Sequence, residues 1–274
     1  MRVEHREHGI DVYVRQSWIN DALMCGERGR QAILRPEWSM PNDATIMGTA
    51  VHAGIEANLT RTNTPARLVG LEALHDLMEQ SFKRTKFSDD EMIGYVMDMC
   101  DEWEANIKPH LGKVLYTEKE FHFQLDQFQI GDTPITVYGK GTIDCVTETG
   151  LWDWKTASRK YNAREKQSQA VQPTMYTAAS VAQGWHEYPV TFNYGVMVRG
   201  GKSQIVSVHR NESHTEWLRE MVRPLVRTAI SIGTDDSWTK NDTHFLCSET
   251  WCPWWSICKG SKLSPVDITP KEQS

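Results

Sequence analysis

The chain has 274 residues, with 36 acidic against 30 basic side chains and a formal net charge of -6. That balance excludes a passive polycationic coat for nucleic acid, so any contact with a polyanion must be local. No apolar run approaches the length of a bilayer span and no apolar leader follows Met1-Arg2-Val3-Glu4, which predicts a cytoplasmic protein without a membrane partner. Six cysteines in a chain long enough to bury a sizeable core are expected as thiols rather than disulfides.

Ser17 reads as the N-cap of a first helix carrying Trp18, Ile19, Ala22 and Leu23, which Gly26 ends just after Cys25. A second helix, residues 48–59, puts Met47, Val51, Ile55 and Leu59 on one face and His52 with Glu56 on the neighbouring stripe. A third covers 71–82. A fourth opens at a capping box, Ser88 with Glu91, and reaches Ile107 ahead of Pro109, with Cys100 on its apolar face. Strands at 115–123, 135–146 and 151–155 follow as a meander, the last two joined by a Thr147-Glu148-Thr149-Gly150 turn. A helix over 164–182 crosses, and strands at 190–198 and 204–209 return to the sheet. The helix at 216–232 is expected to pack through Trp217, Met221, Leu225, Ala229 and Ile230, with Pro224 bending it. The reading is an α/β fold in which three parts form one integrated domain. Residues 1–112 are a helical part, 113–232 a core with a mixed sheet flanked by helices, and 233–274 a polar, tryptophan-rich tail with three cysteines.

The chemistry concentrates in two short runs, Gly139-Lys140-Gly141-Thr142-Ile143-Asp144 and Leu151-Trp152-Asp153-Trp154-Lys155-Thr156. On paired strands Asp144 and Asp153 face each other, and two carboxylates so close need a cation. A divalent ion such as Mg2+ takes oxygen ligands, keeps several waters and can share its sphere with a phosphate oxygen. Lys155, two residues after Asp153, projects from the same strand face, where an ammonium can orient the attacking water and offset charge building on the phosphorane. The pattern points to hydrolysis of phosphodiesters. Cys145 follows Asp144 and so points to the opposite, core face. Glu118 and Glu120 alternate with Lys119, so that either one reaches the site or both lie on a solvated strand face.

Gln172 and Tyr176 are one helical turn apart and project together; the amide suits a phosphate and the ring offers a stacking face for a base. Three basic patches are candidates for nucleic-acid contact: Arg159, Lys160, Arg164 and Lys166 just past the lysine strand, Lys83, Arg84 and Lys86 in a loop, and Arg199 with Lys202. Where a scissile strand would leave the metal, the first is favoured. Histidines 110, 122, 209, 214 and 244 have no usable partner spacing.

These pieces together resemble the RecB-like branch of the PD-(D/E)xK nucleases: Gly48-Thr49-Ala50-Val51-His52 with Glu56, the Gly-x-Ile-Asp ending at Asp144, Asp153-Trp154-Lys155-Thr156, and Gln172 with Tyr176. Cys25 near one end with Cys247, Cys252 and Cys258 near the other resembles the iron-sulfur subfamily, which includes CRISPR-associated adaptation exonucleases, the AddB helicase-nuclease subunit and phage exonucleases. Cys247 and Cys252 depart from it, with four residues between them where two are more usual. The resemblance implies a restriction-endonuclease-like core and Mg2+ or Mn2+ held by His52, Asp144, Asp153 and the Trp154 carbonyl. Glu56 would either hold the other imidazole nitrogen or cap a solvated face. In the resemblance, catalysis involves Asp144, Asp153, Lys155, Gln172 and Tyr176, and the four cysteines hold a 4Fe-4S cluster; four thiolates suit tetrahedral zinc as well, and free buried thiols are the remaining alternative. It further implies an exonuclease on single-stranded DNA ends, 5′ to 3′ favoured, working as a homo-oligomer or with recombination or adaptation partner proteins. The rival is a non-catalytic DNA-binding module or a subunit of a larger helicase-nuclease. No Gly-x4-Gly-Lys-Ser/Thr is present, so any motor is another polypeptide.

Overall fold

The computed structural model describes residues 1–38, 42–80 and 86–263. The chain opens with an antiparallel hairpin, β1 (Arg2–Arg6) and β2 (Gly9–Val14), where a helical part was expected. Asp11 to Val14 are all buried, so β2 carries no in-out alternation by which sequence could reveal it. Helix α1 (Gln16–Met24) ends at Cys25, but Gly26 does not open a loop; it starts α2 (Gly26–Leu34), a helix missing from the sequence reading. A β-carbon on Gly26 would sit 2.8 Å from the Thr239 carbonyl oxygen, so this glycine serves close docking of the tail.

Helices α3 (Asp43–Thr60), α4 (Ala66–Glu79) and α5 (Asp89–Asn106) follow, α3 capped by Asn42 and α5 by the expected Ser88/Glu91 box. The last residues expected in the third helix, 81 and 82, lie outside the described residues. Then come β3 (Val114–Ile130), β4 (Thr133–Thr147) and β5 (Gly150–Ala157), the expected meander with longer strands. The expected helix over 164–182 is two, α6 (Ala163–Gln169) and α7 (Val171–Ala182). The break at Ala170 places Pro173 in the first turn of α7, where its missing N–H removes no helical hydrogen bond. Strands β6 (Val190–Val198) and β7 (Gln204–Arg210) precede α8 (Glu212–Ile232).

The strands form one mixed sheet of seven, ordered β1-β2-β4-β5-β6-β7, with β3 on β4 as well. Helices α1, α7 and α8 cover one face through Ile19, Met175, Ala179, Leu218 and Val222. Helices α3, α4 and α5 cover the other through Met47, Val51, Ile55, Val96 and Trp103. This is a mixed sheet flanked by helices, as expected. Among the described residues no helix is long and apolar enough to cross a membrane. On α8 the buried stripe is Thr215, Leu218, Val222, Val226 and Ala229, which leaves Trp217 60% exposed and corrects its assignment to the core.

One irregularity of the sheet creates the place for chemistry. Strand β2 pairs with β4 over Ile135 to Gly139 and β5 pairs with it over Cys145 to Thr147, while β3 takes the other edge. Residues 140–144 therefore have no strand partner on the β2/β5 side, and the sheet opens there.

Trp103 of α5 meets Trp154 of β5 edge-on, ring centres 5.6 Å apart, and both are almost fully buried. Replacing Trp103 with Ala should cost about 3–5 kcal/mol by loss of burial and cavity formation. The check is a lower urea midpoint at an unchanged slope.

Candidate active site

Asp144 is the first residue beyond the last β4–β5 pair, Cys145 with Trp152, and Asp153 is its counterpart on β5. Asp144 stays near that junction because its Oδ2 accepts the Trp154 N–H at 2.7 Å. Helix α3 brings His52 from the side, and Gly48 permits the approach: a β-carbon there would already be 3.1 Å from Thr156 Oγ1. His52 Nε2 lies 2.9 Å from the Trp154 carbonyl oxygen and Nδ1 3.6 Å from Asp144 Oδ2. A carbonyl only accepts, so Nε2 carries the hydrogen. Burial pushes the His52 pKa down against the pull of Asp153, which keeps the ring neutral and leaves Nδ1 a bare lone pair facing a carboxylate.

Glu118 joins them by a backbone irregularity. Thr117 pairs with Cys145 and Lys119 with Ile143, which sets Glu118 across from Asp144. Its φ of 44° is left-handed, a conformation that costs a non-glycine residue about 1–3 kcal/mol and breaks the strand alternation. One ligand atom each from His52, Glu118 and Asp144 lies within 4.8 Å of the other two. Burial, then Glu56 and Asp153, push the Glu118 carboxyl up to about 7. Burial and Asp153 likewise hold Asp144 well above the usual carboxylate range. Glu120 is exposed and stands apart from the group.

Asp153 faces a different set of partners. Its Oδ1 accepts from Gln172 Nε2 at 2.7 Å. Lys155 Nζ is 2.6 Å from Oδ2, an ion pair off the angle of a well-formed hydrogen bond, so Oδ2 is buried without an aligned donor. Burial works against the Lys155 charge, but Asp153 and Asp144 outweigh it and hold the pKa above the ordinary lysine value. Lys155 is therefore a fixed ammonium at neutral pH and no general base.

The expected ligands His52, Asp144 and Trp154 thus meet, although the Trp154 carbonyl, expected as a ligand, is bonded by His52. Glu118 is the acid that alternation left undecided. Glu56 is exposed and makes no hydrogen bond to His52; it acts on the site through charge. Tyr176 corrects the stacking expectation: the residue is only 7% exposed and its ring packs edge-on with Phe121 and Phe192, which leaves no open face for a base. Its hydroxyl, pushed up to about 12 by burial and then Asp153, lies beside Gln172.

A groove of about 230 Å³ beside the site is lined by Lys155, Gln172, Tyr161 and Tyr194, with Gln16 and Asn20 contributed by α1. Of the basic patches, Arg159, Lys160 and Arg164 are exposed just past β5, and Lys166 lies over the Tyr161 ring at 4.6 Å. Lys202 is paired with Glu102 at 2.8 Å, and Arg199 and Lys86 both flank the Phe87 ring. Lys83 and Arg84 lie outside the described residues.

Far along the chain from these groups, Cys25, Cys247, Cys252 and Cys258 line one cavity of about 340 Å³. All are free thiols. Burial raises the pKa of each of the three C-terminal ones. Helix α2 is the platform for the tail: Glu27 accepts the Trp238 N–H, Arg30 donates to the Thr234 carbonyl, and the Arg35 carbonyl accepts from the Trp254 indole. Cys100 and Cys145 are fully buried with thiols pushed up to about 12, which is their expected inert core role.

Over residues 28–259 the chain matches the family described as the PD-(D/E)XK nuclease superfamily. The chain belongs to the PD-(D/E)XK nuclease superfamily. In this nuclease Ile143 stands where the family name has its proline, ahead of Asp144, and Asp153-Trp154-Lys155 supplies the (D/E)XK. No curated protein matches it in sequence. In fold it is similar to a protein of Eubacterium rectale described as a putative exonuclease, with a TM-score of 0.52, 9% identity and 86% of each chain covered. At that identity the likeness speaks for the fold alone.

The donor set fits a divalent cation on three counts. The Nδ1 lone pair of His52 faces a carboxylate, Asp153 Oδ2 is buried without an aligned donor, and two carboxyls are pushed upward by burial and then by neighbouring acids. The Glu118 shift gives the binding a pH dependence. Below about 7 this side chain is protonated and cannot ligate, so affinity for Mn2+ should fall roughly tenfold or more per pH unit there. Calorimetric titration at pH 7 in buffers of different ionisation heat should register proton release, reduced in Glu118→Gln. Without a cation, the raised pKa contributes stability that is present below the ordinary value of 4.5 and lost as pH rises through about 7.

Proposed function

We propose that this nuclease is a Mg2+- or Mn2+-dependent deoxyribonuclease that hydrolyses DNA from single-stranded ends, 5′ to 3′, and that its four thiols hold a 4Fe-4S cluster. The observation that carries the catalytic part is the convergence of His52, Glu118 and Asp144 next to the Asp153–Lys155 ion pair, in the opening of the sheet. A divalent ion held by Asp144, Asp153, Glu118 and His52 would polarise a phosphate oxygen and make water a stronger nucleophile.

The chain's own groups do the rest. The Lys155 ammonium, fixed in charge and direction by Asp153, donates toward the attacking water and the oxygens that gain charge as the phosphorane forms. Gln172 holds Asp153 Oδ1 and so sets the rotamer of that carboxylate, a positioning task rather than contact with substrate. The Tyr176 hydroxyl, hydrogen-bonded to Gln172, supports the same residue. Arg159, Lys160 and Arg164 supply local positive charge where the strand leaves, in a chain whose overall charge repels DNA.

For the cysteines, four thiols from the two ends of the chain line one cavity, and four thiolates suit a 4Fe-4S cluster as they suit tetrahedral zinc. Free thiols of this kind suit a reducing cytoplasm. Partners in recombination or spacer adaptation, or further copies of the chain, belong to the same reading.

Asp153→Ala and Lys155→Ala should each abolish cleavage of end-labelled single strands while leaving binding within a few-fold of wild type. Wild-type rates in both variants would refute the catalytic assignment. Anaerobically purified protein should be brown and contain iron. Cys258→Ser should be paler and more readily proteolysed between residues 246 and 263, because ligation closes a loop spanning most of the chain and such a link is worth up to about 4–5 kcal/mol. Colourless protein with stoichiometric zinc would refute the iron-sulfur assignment.

A further inference from the structure

Arg210 ends β7 and is only 2% exposed. A guanidinium withdrawn from water is costly unless an anion accompanies it. The largely buried Arg30 and Arg28 follow that rule, pairing with Glu27 and Asp21. Arg210 has only neutral partners. Its Nε donates to Thr174 Oγ1 at 2.9 Å, Nη1 to the His209 carbonyl at 2.9 Å and Nη2 to the Lys166 carbonyl at 3.0 Å. Three of the five N–H groups are thus engaged, and no carboxylate pairs with it among the described residues. Burial lowers its pKa, yet a guanidinium stays charged at neutral pH. The side chain is rigidly held, cationic and short of one negative charge.

It is not sealed in. Arg210 lines a concave cavity of about 380 Å³ together with Ser168, His214 and the exposed Trp217. Asn20, Ala170 and Val171 line both this cavity and the groove that holds Lys155 and Gln172. The two depressions are therefore neighbours, and a strand lying in the groove can reach Arg210.

We propose that this cavity is a phosphate subsite for the end of the substrate strand, in which Arg210 binds a terminal phosphate and the adjoining base stacks on Trp217. The inference rests on the DNA-hydrolase reading and adds to it a means of recognising strand ends. A terminal monoester carries nearly two negative charges at neutral pH against one for an internal diester. A guanidinium lacking a counter-ion selects between them on that difference, and the two N–H groups not taken by Thr174, His209 and Lys166 are available to phosphate oxygens.

The test is binding of fluorescent single strands bearing a 5′-phosphate, a 3′-phosphate or hydroxyls at both ends, by intact protein in EDTA. One of the two phosphorylated ends should bind roughly tenfold or more tighter than the hydroxyl strand. Arg210→Gln should remove that preference without changing affinity for the hydroxyl strand. Trp217→Ala, at an exposed position that tolerates truncation, should weaken binding of the preferred strand about fivefold or more and keep the preference. If Arg210→Gln does not fold, the wild-type end preference together with Trp217→Ala decides the matter. Equal binding of all three strands by wild type, or a preference that survives in Arg210→Gln, overturns the proposal. Cleavage with Mg2+ is measured in parallel: an end preference without cleavage would reject the hydrolase reading alone, and cleavage without a preference would reject the subsite alone.

Discussion

Three carboxylates, from Glu118, Asp144 and Asp153, crowd into one buried opening of the sheet, and Lys155 supplies a positive charge against them. Burial first, and then the neighbouring negative charges, favour the protonated form, which is why the carboxyls of Glu118 and Asp144 sit above their ordinary range. The fold maintains this unfavourable grouping by several independent means. Strands β2 and β5 approach β4 from the same side but at different heights, so that the gap at residues 140–144 is a consequence of register. Glu118 is turned in by a left-handed residue, Asp144 is tethered to the Trp154 N–H, and Asp153 is fixed by Gln172. Removing any one would relieve repulsion, so their joint presence is intelligible as preparation for a cation.

Helix α1 connects this opening with the cysteine cavity. Its Gln16 and Asn20 wall the groove beside Lys155, while Met24 and Cys25 at its other end line the cavity. Nine residues of helix span roughly 13 Å, so order at one end is transmitted to the other as the position of a short rigid rod. The tail is held to α2 by hydrogen bonds of Glu27, Arg30 and Arg35. In the proposed function a cluster at the cysteines would add to this hydrogen-bonded docking and help fix α1, which walls the groove, without entering the chemistry.

Much of the site was legible because its residues are close in sequence and have simple periodicities. Asp144 and Asp153 flank a four-residue turn, Lys155 follows by one strand repeat, and Gln172 by a helical face. The capping box at Ser88 and the apolar stripe of α3 were readable on the same grounds. What was hidden came from contacts that no local pattern encodes. Strand β2 is buried on consecutive residues, and Gly26 reads as a helix stop until the tail that packs on it is seen. Tyr176 has a polar tip, but Phe121 and Phe192, distant in sequence, close over its ring. Trp217 was assigned to the core with Met221, Leu225, Ala229 and Ile230, whereas the helix turns inward the stripe of Thr215, Leu218, Val222, Val226 and Ala229. Glu118 departs from alternation because of its own left-handed backbone, and Arg210 gains meaning only from the acids it lacks.

The central claim is that DNA cleavage depends on a divalent cation held in the opening of the sheet. It is tested most directly by following single-turnover digestion of an end-labelled single strand by metal-stripped protein, first in EDTA and then after addition of Mg2+ or Mn2+. The account predicts no cleavage in EDTA and shortening from an end once the ion is supplied. Digestion in EDTA at the rate seen with Mg2+ would contradict it.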